Sequence, residues 1–94
     1  MKVRVPEDVV SRAVAGETVI LDLASGNYFG LDDVGTRVWD LLVRHGDSDV
    51  AVRALLDEFA VDEPTLRRDV EKLVAELAAE GLVERDEPAS PASR

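Results

Sequence analysis

The chain has 94 residues, no cysteine, a single histidine (His45), and 20 acidic against 11 basic residues, for a formal net charge of −9. That length suits one domain with a modest core. The missing cysteines exclude disulfides, thiolate nucleophiles and cysteine-ligated metals. The acidic balance argues against nucleic acid, whose binders gain affinity through basic patches.

No run approaches the ~20 apolar residues of a membrane span, and the opening Met-Lys-Val-Arg-Val-Pro is not a signal peptide. A soluble, cytoplasmic protein is expected. Val3 and Val5 alternate with charged residues until Pro6 stops the run. Val9, Val10 and Val14 form a second β-prone stretch, ended at Gly16. Residues 17–23 form the strongest predicted strand, with Val19, Leu21 and Leu23 on one side and Thr18, Ile20 and Asp22 on the other. Ala24-Ser25-Gly26 makes a short turn, and residues 27–31 return as the last strand of an antiparallel hairpin.

Asp32 or Asp33 is placed to cap a first helix over residues 34–44, with Val34, Val38, Leu41 and Leu42 on one face and Trp39 at its border. Gly46 ends that helix, and Arg44 and His45 suit its negative C-terminal pole. Asp47 or Ser48 caps a second helix over 49–59, with Val52, Leu55, Leu56 and Phe59 as its apolar positions. Asp62 and Pro64 open a third over 64–80, whose stripe is Leu66, Val70, Leu73, Val74 and Leu77, widened by Ala78. Gly81 is placed to end it, with Leu82 and Val83 folding back. The fold class expected is α+β: a small antiparallel sheet followed by three helices, which also describes a winged helix-turn-helix. Residues 85–94 hold no aliphatic larger than alanine and are expected to be a disordered tail.

No catalytic constellation emerges. His45 stands at a predicted helix end with no acid or serine fixed beside it. Asp32-Asp33 and Asp62-Glu63 could be read as acid–base or calcium pairs, but carboxylates just before helices are expected as caps. Gly26 and Gly30 lack phosphate-loop spacing and its lysine. Neither an enzyme nor a cofactor or metal site is expected. As a recognition helix, the third carries Arg67, Arg68 and Lys72, but also Asp69, Glu71, Glu76 and Glu80. The hairpin offers acids and no lysine or arginine, whereas a wing touching DNA needs cations for phosphate.

A binding site is better sought on residues 27–31. Two of the four aromatic residues, Tyr28 and Phe29, fall there, with Gly30 between Phe29 and Leu31 and no charge along the strand. Edge strands are normally blunted by charge, proline or a cover. An unguarded edge beside an amphipathic helix is a receptor for an extended peptide, and glycine lets another backbone approach. In the competing reading, Phe29 and Leu31 only fill the core.

The stretch VILDLASGNYFGLD, residues 19–32, followed by Gly35, Val38-Trp39 and Leu41-Leu42, closely resembles the PqqD-like family. Within it, Tyr28-Phe29-Gly30-Leu31 brings the chain nearest the discrete precursor-recognition proteins of lasso-peptide biosynthesis. The resemblance covers about residues 3–84, with Asp32 where asparagine is common. It implies a RiPP recognition element over residues 1–84: a three-stranded sheet on three helices, winged-helix-like and non-catalytic. It also implies a leader peptide that adds to the third strand against the third helix and is passed to a transglutaminase-like leader peptidase, then to a cyclase. Carried onto this chain, the expected groove is Asn27, Tyr28, Phe29, Gly30 and Leu31 facing Val70, Leu73, Val74 and Leu77. Phe29 and Leu31 are placed on the helix side and Tyr28 at the rim. Val74 and Ala78 are favoured over Leu73 as groove contacts, and Asp69 and Glu76 could meet a basic leader residue or simply be solvated. The alternatives are a winged-helix DNA-binding regulator and an interaction domain detached from a larger modifying enzyme.

Overall fold

The computed structural model describes residues 1–86. In chain order the elements are β1 (Lys2–Arg4), β2 (Val9–Val14), β3 (Glu17–Asp22), β4 (Tyr28–Leu31), α1 (Asp33–His45), α2 (Ser48–Glu58), α3 (Glu63–Ala79) and β5 (Glu84–Asp86). The meander β2-β3-β4 is the expected three-stranded antiparallel sheet, and three helices follow it. The α+β, winged-helix-like expectation therefore holds.

Local chemistry sets the hairpins. Between β2 and β3 the chain turns on Ala15 and Gly16, at φ 55° and 84°; positive φ at both positions matches the right-handed twist of the flanking strands. Between β3 and β4 the Asp22 carboxylate accepts from the Ala24 N–H at 3.0 Å and the Ser25 hydroxyl at 2.9 Å. That turn trims both predicted strands. The Leu23 N–H stays in register with the β2 side, donating to the Asp8 carbonyl at 2.8 Å, one residue before β2 begins. Asn27 spends its N–H on Ser25 Oγ at 3.1 Å and its carbonyl on the Asp22 N–H at 2.9 Å.

The first strand forms a separate ribbon with the last. β1 does not join the meander but pairs antiparallel with β5, placing Val3 opposite Arg85. The Val3 N–H also donates to the Gly46 carbonyl at 3.0 Å. The ordered pairing therefore runs past position 84 to Asp86, and the rest of the expected tail lies outside the described residues.

Every helix start follows its predicted acid. Asp32, Asp47 and Asp62 are the N-caps; Asp32 Oδ1 accepts from the Gly35 N–H at 2.8 Å and Asp62 Oδ2 from that of Thr65 at 3.1 Å. Gly81 ends α3 at φ 77°, with its N–H on the Ala78 carbonyl at 3.0 Å and that of Leu82 on Leu77 at 2.9 Å. Those paired bonds form a Schellman motif, which turns Leu82 and Val83 back into the core.

The core lies between sheet and helices. α1 covers the inner sheet face, which presents Thr18, Ile20 and Leu31, all buried; the outer face leaves Val10, Val19 and Tyr28 exposed. Trp39, expected at the border of the apolar face, is only 3 % exposed, and its indole N–H donates to Ser11 Oγ at 3.2 Å.

Ion pairs tie the helices together. Arg67 of α3 holds Asp49 of α2 and also Glu63, the latter at 3.1 Å. Arg37 of α1 grips Glu58 of α2 through Nε at 2.9 Å and through Nη2. Side-chain hydrogen bonds from Arg67 and Arg37 hold the Asp49 and Glu58 carboxyls below their usual range; Thr65 does the same for Asp62. For Asp47, burial alone would raise the value, but the Asp49 and Val50 N–H groups overcome it. Carboxylates depressed in the folded state stabilise it fully above the unfolded value and lose that contribution as pH falls through the folded one. The urea midpoint should therefore be level from about pH 5 to 8 and fall below about pH 4, the ordinary carboxylate range. A midpoint unchanged down to pH 2.5, as read by circular dichroism, would mean that these pairs do not act in solution.

Candidate peptide-binding site

The order β2-β3-β4 leaves one side of β4 without a strand partner among the described residues. Its four residues, Tyr28, Phe29, Gly30 and Leu31, carry no charge. Gly30 keeps the outer surface low: a Cβ built there would meet nothing within 4 Å. The alternation is the expected one. Leu31 is buried and Phe29 half-buried against the core, while Tyr28 is 73 % exposed on the opposite face. Antiparallel bonds alternate in direction, and the Asp22 N–H on the Asn27 carbonyl makes Asn27, Phe29 and Leu31 the residues bonded toward β3, so Tyr28 and Gly30 turn their N–H and C=O to the free edge. An added strand has only Tyr28–Leu31 to pair with.

The helical wall also differs. Val70, Val74 and Leu77 are 1, 0 and 0 % exposed, so they belong to the core rather than to a groove surface. Leu73, the position passed over in favour of Val74, is half-buried, as is Ala78. Glu76 and Asp69 are exposed. The reason is rotational. α3 packs mainly on α2, which turns the Val70-Val74-Leu77 line inward and leaves Leu73 at its margin.

The accessible apolar surface lies nearer the start of α3. A cleft of about 210 Å³ is lined by Val34, Val38, Leu55, Phe59, Val61, Thr65, Leu66 and Asp69. It draws on the first turns of α1, the end of α2 and the first turns of α3. Val34 was placed on the buried face of α1 but is 55 % exposed at this lip. The cleft is held to the strand by close packing at Gly35. A Cβ there would stand 3.3 Å from Leu31 Cβ, Leu31 Cδ2 and Asp32 Oδ1, so glycine lets α1 start directly against the end of β4. The Arg37–Glu58 pair fastens α1 to the end of α2 one residue before Phe59. Of the expected site residues, only Asp69 lines this cleft. Val34, Phe59 and Val61, which also line it, lie outside the expected groove. Their signal is large exposed apolar residues at helix ends, where polar residues are usual.

A second, shallower hollow lies beside Gly30, between Glu17, Thr18, Val19, Leu31 and Asp32. No lysine or arginine lines either concavity among the described residues. On α3 itself, Arg67 is committed to Asp49 and Glu63.

Residues 17–83 match the family model described as coenzyme PQQ synthesis protein D (PqqD). Among solved structures, a chain described as "TbiB1 in Complex with the TbiA(beta) Leader Peptide" is 38 % identical, with a TM-score of 0.83 over 89 % of this chain and 98 % of that one. Another, "Lasso peptide synthetase B1 complexed with the leader peptide", shares the fold at a TM-score of 0.80 and 22 % identity, over 90 % of this chain and 100 % of that one. Among curated protein sequences none matches the chain. A matched span that runs from the start of β3 through Val83, together with 38 % identity to TbiB1 over 89 % of this chain, makes this chain a member of the PqqD family.

Proposed function

We propose that this protein is a non-catalytic leader-peptide-binding protein, which captures a ribosomally made precursor of the lasso type and presents it to a separate leader peptidase. The observation that carries the reading is the uncharged edge of β4, without a strand partner among the described residues, together with an apolar cleft whose lining begins at Val34, three residues after Leu31. An extended chain can bond in series to such an edge, while one of its side chains enters the cleft. The likeness to a chain solved with a leader peptide supports the same reading. The peptidase would be transglutaminase-like and a cyclase would act after it, all in the cytoplasm. No helix among the described residues is long and apolar enough to cross a membrane.

The test is calorimetry with the synthetic leader of the precursor encoded beside the gene, alongside backbone amide spectra. Binding should shift the Tyr28–Leu31 amides. Val61 is 48 % exposed at the cleft. Val61→Asp should change stability by no more than about 0.5 kcal/mol, as surface substitutions do, yet weaken the leader at least about tenfold, roughly 1.4 kcal/mol. Full leader affinity in Val61→Asp with unmoved β4 amides would overturn the reading.

A further inference from the structure

α1 covers the inner face of the meander, and the outer face is left to solvent. The ladder orders that outer face in cross-strand rows: Val10 with Leu21 and Tyr28, then Arg12 with Val19 and Gly30, then Val14 with Glu17 at the hairpin end. Leu23 continues the β3 row beyond Leu21 and, like Val14, is exposed. β3 is therefore apolar on both faces, with Ile20 inside and Val19, Leu21 and Leu23 outside. Such a pattern belongs to a strand covered on both sides, whereas a solvated outer face alternates to polar residues.

The strands bring two charges to this face, Arg12 and Glu17. Arg12 stands opposite Val19 and Glu17 opposite Val14, so the two are diagonal neighbours on adjacent strands. Neither has an ion-pair partner among the described residues. One cation and one anion a diagonal apart in an apolar field make a surface complementary to itself. A two-fold axis in the plane of contact, crossing the line between them at its midpoint and at right angles, sets each Arg12 over the partner subunit's Glu17. The exposed valines, Leu21 and Tyr28 then meet across a sandwich of two sheets about 10 Å apart. Hydrogen-bonding groups at the edge of β4 lie in the plane of the sheet, so stacking leaves them open.

We propose that the outer face of β2-β3-β4 is a dimer interface, occupied by a second copy of this chain and held in register by two reciprocal Arg12–Glu17 ion pairs. The contact is small. At about 4.8 Å between strands and about 3.4 Å per residue, the face spans roughly 14 by 20 Å. That is well below the ~800 Å² per partner of a standard interface. The dimer is therefore weak, with a dissociation constant of about 10 µM to 1 mM. The net charge of −9 on each copy opposes association further at low salt. This inference goes beyond leader capture and stands independently of it.

The experiment is sedimentation equilibrium of the full chain from about 5 µM to about 1 mM, at about 0.15 M salt to screen the net charge. The wild type should pass from monomer to dimer across that range. Arg12→Glu and Glu17→Arg should each weaken the dimer at least about tenfold, because each reversal replaces two attractions with two repulsions. The double variant, Arg12→Glu with Glu17→Arg, restores both pairs and should regain the wild-type constant within about threefold. Both positions are exposed, so all three variants should melt as the wild type does by circular dichroism. A wild type that stays monomeric to about 1 mM overturns the proposal. So does a dimer indifferent to the single reversals, or one that the double reversal fails to restore.

Discussion

Val74→Glu is expected to leave the protein without a cooperative unfolding transition at pH 7 and 25 °C. Val74 is completely buried in the cluster that also holds Val70, Leu77, Leu55 and Leu82. A carboxylate there has no cation within the apolar cluster to pair with. The substitution therefore combines lost packing with an unpaired buried charge, a class that exceeds ~4–5 kcal/mol. A domain of this kind has only ~5–15 kcal/mol in total. Leu73→Glu is the contrasting variant: Leu73 is half-buried, and its protein should still melt cooperatively. Circular dichroism melts of the two variants check the assignment. A native-like melt for Val74→Glu would require α3 to be turned by about 100°, one residue's rotation about its axis.

Trp39→Ala should lower stability by about 3–5 kcal/mol, the range for deleting a large buried aromatic. The ring is 3 % exposed, where α1 meets the sheet. For a domain this small each kcal/mol moves the thermal midpoint by about 4–8 °C, so a drop of well over 10 °C is expected. Trp39→Phe separates packing from the polar contact, because it keeps an aromatic ring but loses the N–H bond to Ser11. That bond contributes about 0.5–1.5 kcal/mol. Ser11 is exposed and water can replace its partner, which favours the lower end. An unchanged midpoint for Trp39→Ala would mean that the ring does not pack under the sheet.

The features legible in the sequence were those whose causes are local. Asp32, Asp47 and Asp62 cap because a short acceptor stands before an apolar period, and Gly46 and Gly81 end helices because each adopts positive φ. The Tyr28-Phe29-Gly30-Leu31 edge was legible because alternation and absence of charge are written in consecutive residues. The inward direction of α3 was not. Its apolar residues cover a wide arc, and only packing against α2 decides that Val74 enters the core while Leu73 stays at the margin. The cleft was missed for a related reason: Val34, Phe59 and Leu66 come from separate helices and meet only in three dimensions.

The ribbon of β1 and β5 has a consequence for the order of assembly. Arg4 and Glu84, paired across it, are 80 residues apart in sequence. The length-dependent entropy of closing such a loop is about 4 kcal/mol, against about 1.5 kcal/mol for a loop of a few residues. The β2-β3-β4 meander and the helices succeed one another through short connections, so they can form before the ribbon closes. The ribbon then acts as a late clasp. Strain or mutation at Lys2–Arg4 should register as faster unfolding rather than slower folding, while the β4 edge, built from the early-forming part, keeps its shape.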